Sequence, residues 1–384
     1  MLRIVHVSTL FYPFVGGLER AVQRTAEEQA RLGHEVTVIT SDAYAEDRPK
    51  VEKDLITVVR VRSWMNPYPY LIVPREIPRD ALKYADIVVG WAHTYYFTYR
   101  VVKEAKNLGK PVGMYFIGVD YLQRHYNPLF RLLGFQYQKT LTKRLAEIVD
   151  IAFTTNEFEK ELLKVRYGLD SFVIPHGVDE IYFELPNMAR HFRDKYNIDG
   201  RIISYIGRIH PTKGVDSLIK AFAKIIKELS DVILVVAGTG YKKYLKKCIR
   251  IAKKLNLENK IKFIGFINEE DKIALIDASD IIVLPTKHYG ESYPLLINEV
   301  IARNKLLVLS RHTLASLWLR KARECKNVIF TNPDVSGLAK TIVNVFQLYD
   351  QLYQQIQNTS KCRDLMTTWK TIAQRLTFLI SSYL

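Results

Sequence analysis

The strongest constraint on this chain is a regular alternation of short apolar runs with longer amphipathic ones, which starts afresh halfway along. Ile4–Val7, Val36–Thr40, Ile87–Gly90, Pro111–Phe116, Ile151–Thr155 and Phe172–Ile174 read as buried parallel strands. Between them, Leu18–Leu32, Tyr99–Asn107 and Glu157–Tyr167 carry the helical period. The second half repeats the pattern. Its strands are Ile202–Ile206, Ile233–Ala237, Lys262–Gly265, Ile281–Leu284 and Leu307–Leu309, and its helices are Val215–Glu228, Tyr241–Leu255, Glu269–Ala278 and Leu295–Ala302. Strand–helix alternation predicts an α/β fold of parallel sheets covered by helices on both faces. A chain of 384 residues is long for one core and sufficient for two. A polar stretch, 180–195, with Pro186 and Asn187, separates the halves. The expected organisation is therefore two Rossmann-like, doubly wound domains, 1–182 and 183–363, facing a cleft, followed by a helical segment 364–384. Ligands in such sheets bind at the carboxyl ends of the strands.

Charge and cysteines narrow the classes. The net charge of +16 is uneven: residues 1–185 hold 24 Lys and Arg against 23 Asp and Glu, and residues 186–384 hold 32 against 17. A basic second half attracts anions such as nucleotides, nucleic acid or acidic lipid heads. Much of it lies in 241–255, where Lys242, Lys243, Lys246, Lys247, Arg250, Lys253 and Lys254 also fit a solvated helix face. Cys248, Cys325 and Cys362 are far apart in sequence, with no Cys-x-x-Cys or Cys/His cluster, so neither zinc nor a disulfide framework is expected and a reducing cytosol fits. The N-terminus reads as a strand and not as a leader, and no apolar run is long enough to span a bilayer.

Three segments carry candidate chemistry. Gly16-Gly17-Leu18-Glu19 opens a helix after the first strand, where backbone N–H groups can meet a phosphate; the same dipeptide is also ordinary turn chemistry. Gly207-Arg208-Ile209-His210-Pro211-Thr212-Lys213-Gly214 joins a strand to a helix and places two cations on one strand-end loop. Arg grips phosphate bidentately, and Lys adds a point charge. The run from Tyr289 to Glu299 follows another strand and enters a helix. Pro294 suits the first turn, and the N–H groups of Tyr293, Leu295 and Leu296 face an anion. Glu299 lies in a largely apolar helix, and a buried carboxylate needs a partner.

In order, these segments resemble the retaining, GT-B-fold glycosyltransferases of family 4. The resemblance rests on Gly16–Glu19, Ile174-Pro175-His176-Gly177-Val178-Asp179, the 207–214 loop, Ala237-Gly238-Thr239-Gly240, Phe263-Ile264-Gly265-Phe266 and the pair Glu291 and Glu299. It spans about residue 3 to 310. It implies that Arg208 and Lys213 hold the diphosphate of a UDP- or GDP-linked sugar, assisted by the backbone at Gly16 and Gly17. It implies that Glu299 binds the ribose, that Glu291 with Ser292, Tyr293 and Leu295 contacts the transferred sugar and the phosphates, and that the backbone near Ile267 faces the base. It also implies that the 364–384 helix packs on the first domain. The sequence has no Asp-x-Asp pair, so no metal or other cofactor is expected, and Arg208 and Lys213 are left to stabilise the departing diphosphate.

The departures are specific. Many relatives carry His-Gly-x-Asp after the strand that is Pro111–Phe116 here; this chain reads Ile117-Gly118-Val119-Asp120, keeping the Asp without the His. His93, after another first-half strand, is an alternative acceptor-side residue or an ordinary loop histidine. His176 stands where relatives often have Asn, and the stretch after Leu309 follows the family poorly. On the acceptor side, 121–146 has no acidic residue and mixes Arg124, Arg131, Lys139, Lys143 and Arg144 with Phe130, Leu132, Leu133 and Phe135. That composition fits either an anionic membrane surface or a core-facing helix with solvated cations. The expected acceptor is a glycan or a lipid-linked saccharide, and the expected location is cytoplasmic, extending to the inner face of the membrane. Two other readings stay open: a nucleotide-sugar epimerase of similar architecture, and a basic nucleic-acid-binding protein, for which no RNA- or DNA-reading motif is present.

Overall fold

Val- and Ile-rich runs form these strands because β-branched side chains suit a pleated surface that is covered on both faces. The structure, a computed structural model, describes residues 1–14, 16–43, 55–64, 69–125, 128–321, 325–357, 361–364 and 366–384. The chain divides into two units, Met1–Gly177 with Thr367–Leu384, and Val178–Met366.

The first unit is built on β1 (Arg3–Val7), β2 (Glu35–Ser41), β3 (Thr57–Val61), β4 (Ile87–Trp91), β5 (Val112–Phe116), β6 (Ile151–Thr154) and β7 (Phe172–Val173). They pair in the order β3-β2-β1-β4-β5-β6-β7, all parallel. Helix α1 (Gly17–Arg31), α2 (Phe135–Ala146) and α3 (Glu157–Tyr167) belong to the same unit. Helix α3 shows why its ends fall where they do. Asn156 caps it by accepting from the Glu159 N–H at 3.0 Å, and Gly168 ends it in the left-handed region.

The second unit holds β8 (Arg201–Ile206), β9 (Val232–Ala237), β10 (Ile261–Gly265), β11 (Ile281–Leu284), β12 (Leu306–Ser310) and β13 (Val328–Thr331), in the parallel order β10-β9-β8-β11-β12-β13. Its helices include α4 (Lys242–Lys254), α5 (Glu269–Ala278) and α6 (Leu295–Ala302). In both sheets the first strand of the unit lies centrally and the strand order reverses beside it, between β1 and β4 and between β8 and β11. Loops leaving the carboxyl ends there diverge and open a crevice.

The strands expected from sequence are present. The edge strands β3 and β13 were not expected. Thr57–Val61 carries Arg60 mid-strand and is covered incompletely, so its apolar pattern is diluted. The unit boundaries also differ from 182/183 and 363/364. Tyr182 is fully buried in the core of the second unit with Phe192 and Ile198, which brings the crossing point back to 177/178. The chain returns at 366/367, and the closing helix α7 (Trp369–Tyr383) packs on α1, where buried Gln29 donates to Thr377 Oγ1 at 3.1 Å. Helix α4 buries Tyr244, Cys248 and Ala252 and turns its cations to solvent.

One expectation is corrected. Cys325 and Cys362 are disulfide-bonded, with Cα atoms 5.0 Å apart, although 37 residues separate them in sequence. Sequence spacing reports on local cysteine motifs alone, and here the fold brings two distant segments together. The cysteine argument for a reducing compartment therefore falls away. Cys248 is a free, buried core thiol, and burial pushes its pKa up to about 11. Among the described residues, no helix is long and apolar enough to cross a membrane.

Candidate active site

The crevice of the second unit is framed by the loops that follow β8 and β11, and hydrogen bonds stitch these loops together. The Lys287 N–H and the Thr286 hydroxyl both donate to the Thr212 carbonyl, at 2.7 and 3.1 Å. Gly214 makes this approach possible. Its φ is +74°, and a Cβ there would lie 3.1 Å from the Pro285 carbonyl carbon and closer still to its oxygen. His210 caps the short 3-10 turn Pro211–Lys213, its ring nitrogen accepting from the Thr212 N–H at 3.3 Å. Tyr205, buried on β8, donates to the Arg208 carbonyl at 2.6 Å.

These loops bring Lys213 and Glu291 into a hydrogen-bonded ion pair, with both side chains largely shielded from solvent. Burial raises the Glu291 pKa, but the charges of Lys213, His288 and Arg208 outweigh it, and the group sits below the ordinary carboxylate range. Glu291 is thus an anion amid cations. Arg208 is exposed at the mouth of the same loop. The segment after Leu309 buttresses the site: Leu314 and Ala315 donate to the carbonyls of Tyr289 and Glu291 at 2.9 and 2.8 Å.

Apart from Ile267, the remaining residues expected here fall along the run from Tyr289 to Glu299. Ser292 is buried, and its carbonyl accepts from Trp318 Nε1 at 2.9 Å. Tyr293 stacks on the Trp318 ring at 4.8 Å, and burial pushes its pKa up to about 12. Pro294 occupies the N-cap, so Leu295 is the first helical residue. Ile267, between β10 and α5, packs on the core beside Phe266, whose ring is exposed. Glu299, on α6, is 5% exposed, and its Oε1 accepts from Lys272 Nζ at 2.7 Å. Lys272 also lies 3.0 Å from Glu269 Oε1, and Glu269 in turn accepts from the Tyr182 hydroxyl. Sequence reasoning did not single out Lys272. The signal available was the Asn268 cap with acids in the first turn of α5, which places position 272 one turn into a helix that begins at a strand end.

In the first unit, Gly16 is the extended N-cap of α1 and Gly17 its first residue. A Cβ at Gly16 would lie 3.1 Å from the Glu19 carboxyl carbon and closer to one oxygen. Glu19 therefore folds back over the helix N-terminus, where negative charge is favourable. Asp120 adopts φ +57°, and its buried carboxylate is engaged by Arg166 Nη1 and by the Tyr167 hydroxyl, each at 2.6 Å. The loop before it is held by Glu159, which sequence reasoning did not identify. Glu159 Oε1 accepts from the N–H groups of Gly118 and Val119 at 2.5 and 3.2 Å.

His93 is fully buried 5.3 Å from Phe116, and burial lowers its pKa to about 3, so the ring is neutral. Gln138 uses its carbonyl for the Leu122 N–H, and its amide N–H groups go to the Gly118 carbonyl and to His93 Nε2, 3.3 Å away. His93 Nε2 is then an acceptor, and Nδ1 carries the proton. Nδ1 has no hydrogen-bond partner among the described residues. Gln138 thus links His93 to the Ile117–Asp120 loop.

Comparison with known proteins identifies the family and the fold. Residues 15–181 match the description "Glycosyltransferase Family 4" and residues 189–362 match "Glycosyl transferases group 1". The chain is 26% identical over 245 residues to the mannosylfructose-phosphate synthase of Agrobacterium fabrum, covering 60% of this chain and 52% of that protein. It is 24% identical over 330 residues to the GDP-mannose-dependent alpha-(1-6)-phosphatidylinositol dimannoside mannosyltransferase of Mycobacterium tuberculosis, covering 81% and 80%. The fold matches the sucrose-phosphate synthase of Thermosynechococcus elongatus with a TM-score of 0.79 at 17% identity, covering 100% of this chain and 99% of that one. It matches HepE of Anabaena, solved with UDP and glucose, with a TM-score of 0.76 at 17% identity over the whole of both chains. The two parallel-sheet units are those of the GT-B architecture, and the chain belongs to the family 4, group 1 glycosyltransferases.

Proposed function

We propose that the protein transfers a sugar, with retention, from a UDP- or GDP-linked donor to a glycan or lipid-linked acceptor, without a metal ion. The observation that carries the reading is the meeting of Arg208, Lys213 and Glu291 on two strand-end loops at the reversal of strand order. In this reading the diphosphate lies over Arg208 and Lys213, and Lys213 exchanges its bond to Glu291 for one to phosphate. The bond between the sugar carbon and the diphosphate oxygen breaks, and its electron pair leaves on the diphosphate; the acceptor hydroxyl oxygen bonds to that carbon on the same face, and its proton passes to a diphosphate oxygen. Fixed cations favour that charge more in the transition state than in the ground state. Glu291 stays beside the sugar as an anion that faces a cationic transition state. Glu299 receives the ribose, and the exposed Phe266 ring beside Ile267 offers a face to the base. HepE binds UDP and glucose and the mycobacterial relative uses GDP-mannose, which supports a nucleotide-sugar donor.

Calorimetric titration with UDP, GDP and ADP, beside Arg208→Ala and Glu299→Ala, tests the donor site. Micromolar binding of one diphosphate, weakened by both substitutions, is the expected result. Failure of all three to bind removes the reading.

The acceptor side of the reading places the protein at an anionic membrane surface. Helical backbone runs from 128 through a wide turn at Phe130–Gly134 into α2. Leu129, Leu132 and Leu133 are exposed at 62%, 67% and 60%, followed along the helix by exposed Lys139, Lys143 and Arg144. An apolar wedge next to cations suits a headgroup boundary. The mycobacterial relative is by name a phosphatidylinositol dimannoside mannosyltransferase, which supports a lipid-linked acceptor. Sedimentation with anionic liposomes is expected to show salt-sensitive binding that is lost in Leu132→Ser/Leu133→Ser; no binding at low salt removes the membrane from the reading.

A further inference from the structure

The second unit contains a built ionic cluster that the motif roles leave unexplained. Lys272, on the second turn of α5, reaches Glu299 Oε1 on α6 at 2.7 Å and Glu269 Oε1 at 3.0 Å. Its ammonium also stands 5.5 Å from the centre of the Tyr182 ring, and the Tyr182 hydroxyl holds Glu269. The side chains of Lys272 and Glu299 are 15% and 7% exposed, so water does little of the neutralising. One long, flexible side chain is therefore fixed by an acid on each side and an aromatic face below. Holding a lysine this way costs rotamer entropy, and the arrangement gives Glu299 a single orientation. Its Oε1 is committed to Lys272, while Oε2 accepts no hydrogen bond among the described residues.

We propose that Lys272 is a positioning residue for the nucleoside end of the donor. It pins one oxygen of Glu299 and neutralises that buried charge, so that the other oxygen meets the vicinal hydroxyls of the ribose at a fixed angle. The inference rests on the reading that Glu299 receives the ribose. Without Lys272, the carboxylate loses its partner and is free to rotate, and a buried unpaired charge is costly. Discrimination between ribose and a sugar lacking those hydroxyls then falls, because it depends on an acceptor that is already oriented and desolvated.

The test is calorimetry with whichever of UDP or GDP the wild type binds, and with the 2′,3′-dideoxy counterpart. Wild type is expected to prefer the ribonucleotide. Lys272→Met is expected to weaken ribonucleotide binding about tenfold to a hundredfold while leaving the dideoxy compound nearly unchanged, and Lys272→Arg to restore most of the preference. The double variant Lys272→Met/Glu299→Gln is expected to bind no worse than Glu299→Gln alone, since both changes remove one interaction. It also replaces the ion pair by a neutral one, which guards against misfolding of the single variant. A merely structural lysine would alter both ligands equally, and that outcome overturns the proposal. So does a Lys272→Met protein with the wild-type preference. A wild type that binds no nucleoside diphosphate overturns the donor reading itself and this inference with it.

Discussion

Gly214→Ala probes the joint between the loops that follow β8 and β11. The substitution has two separable costs. A residue with a Cβ at φ +74° carries left-handed strain of about 1–2 kcal/mol. The added methyl also meets the Pro285 carbonyl, which is backbone and cannot rotate away, and overpacking of this kind costs about 1–3 kcal/mol. The sum is about 2–5 kcal/mol, or roughly 4–20 °C in the melting temperature of a domain this size. Separation of the loops also pulls Lys213 from Glu291, so nucleoside diphosphate affinity falls with stability. Gly33→Ala is the matched control: its φ is +87° and its Cβ would meet nothing within 4 Å, so strain acts there alone. Urea unfolding followed by circular dichroism gives the stabilities, and calorimetry gives the affinity. Equal destabilisation by the two substitutions, with nucleotide binding intact in Gly214→Ala, would refute the claim that close approach at Pro285 builds the site.

Lys213→Ala should lower the transfer rate by roughly 10²–10³ with a smaller change in substrate KM; a rate within threefold of wild type would show that the cation is not used in the transition state. The first unit should be acid-sensitive, because His6 and His176 have pKa values lowered to about 4 and His93 to about 3 by burial. Since the unfolded histidines take up protons near pH 6.5, stability is complete above that pH and falls as pH drops toward 4, by about 3 kcal/mol for each ring; urea midpoints that stay flat from pH 7 to 4.5 would contradict this. Reduction, or Cys325→Ser/Cys362→Ser, should destabilise the second unit by about 2–4 kcal/mol, read as a lower urea midpoint that reductant no longer shifts in the double variant.

The strand–helix order was legible because each period is local. Ile281–Leu284 and Glu269–Ala278 appear in the structure with the bounds read from the sequence, since an apolar run of that length or a helical stripe needs no distant residue to declare itself. The loops bearing Arg208, Lys213 and Glu291 could be placed for the same reason: each follows a strand and precedes a helix. The edge strand Thr57–Val61 was missed, because Arg60 and incomplete cover dilute its apolar run.

Pairings between distant segments were decided by the tertiary structure. Lys213 and Glu291 are 78 residues apart, Lys272 and Glu299 are 27 apart, and neither sequence position announces its partner. Asp120 kept the family's residue, yet its carboxylate is held by Arg166 and Tyr167 from α3. The cysteines were read as unpaired, and the fold joined two of them. Periodicity records what a residue does relative to its neighbours in the chain, whereas an ion pair or a disulfide depends on distances that exist only after the sheets have closed.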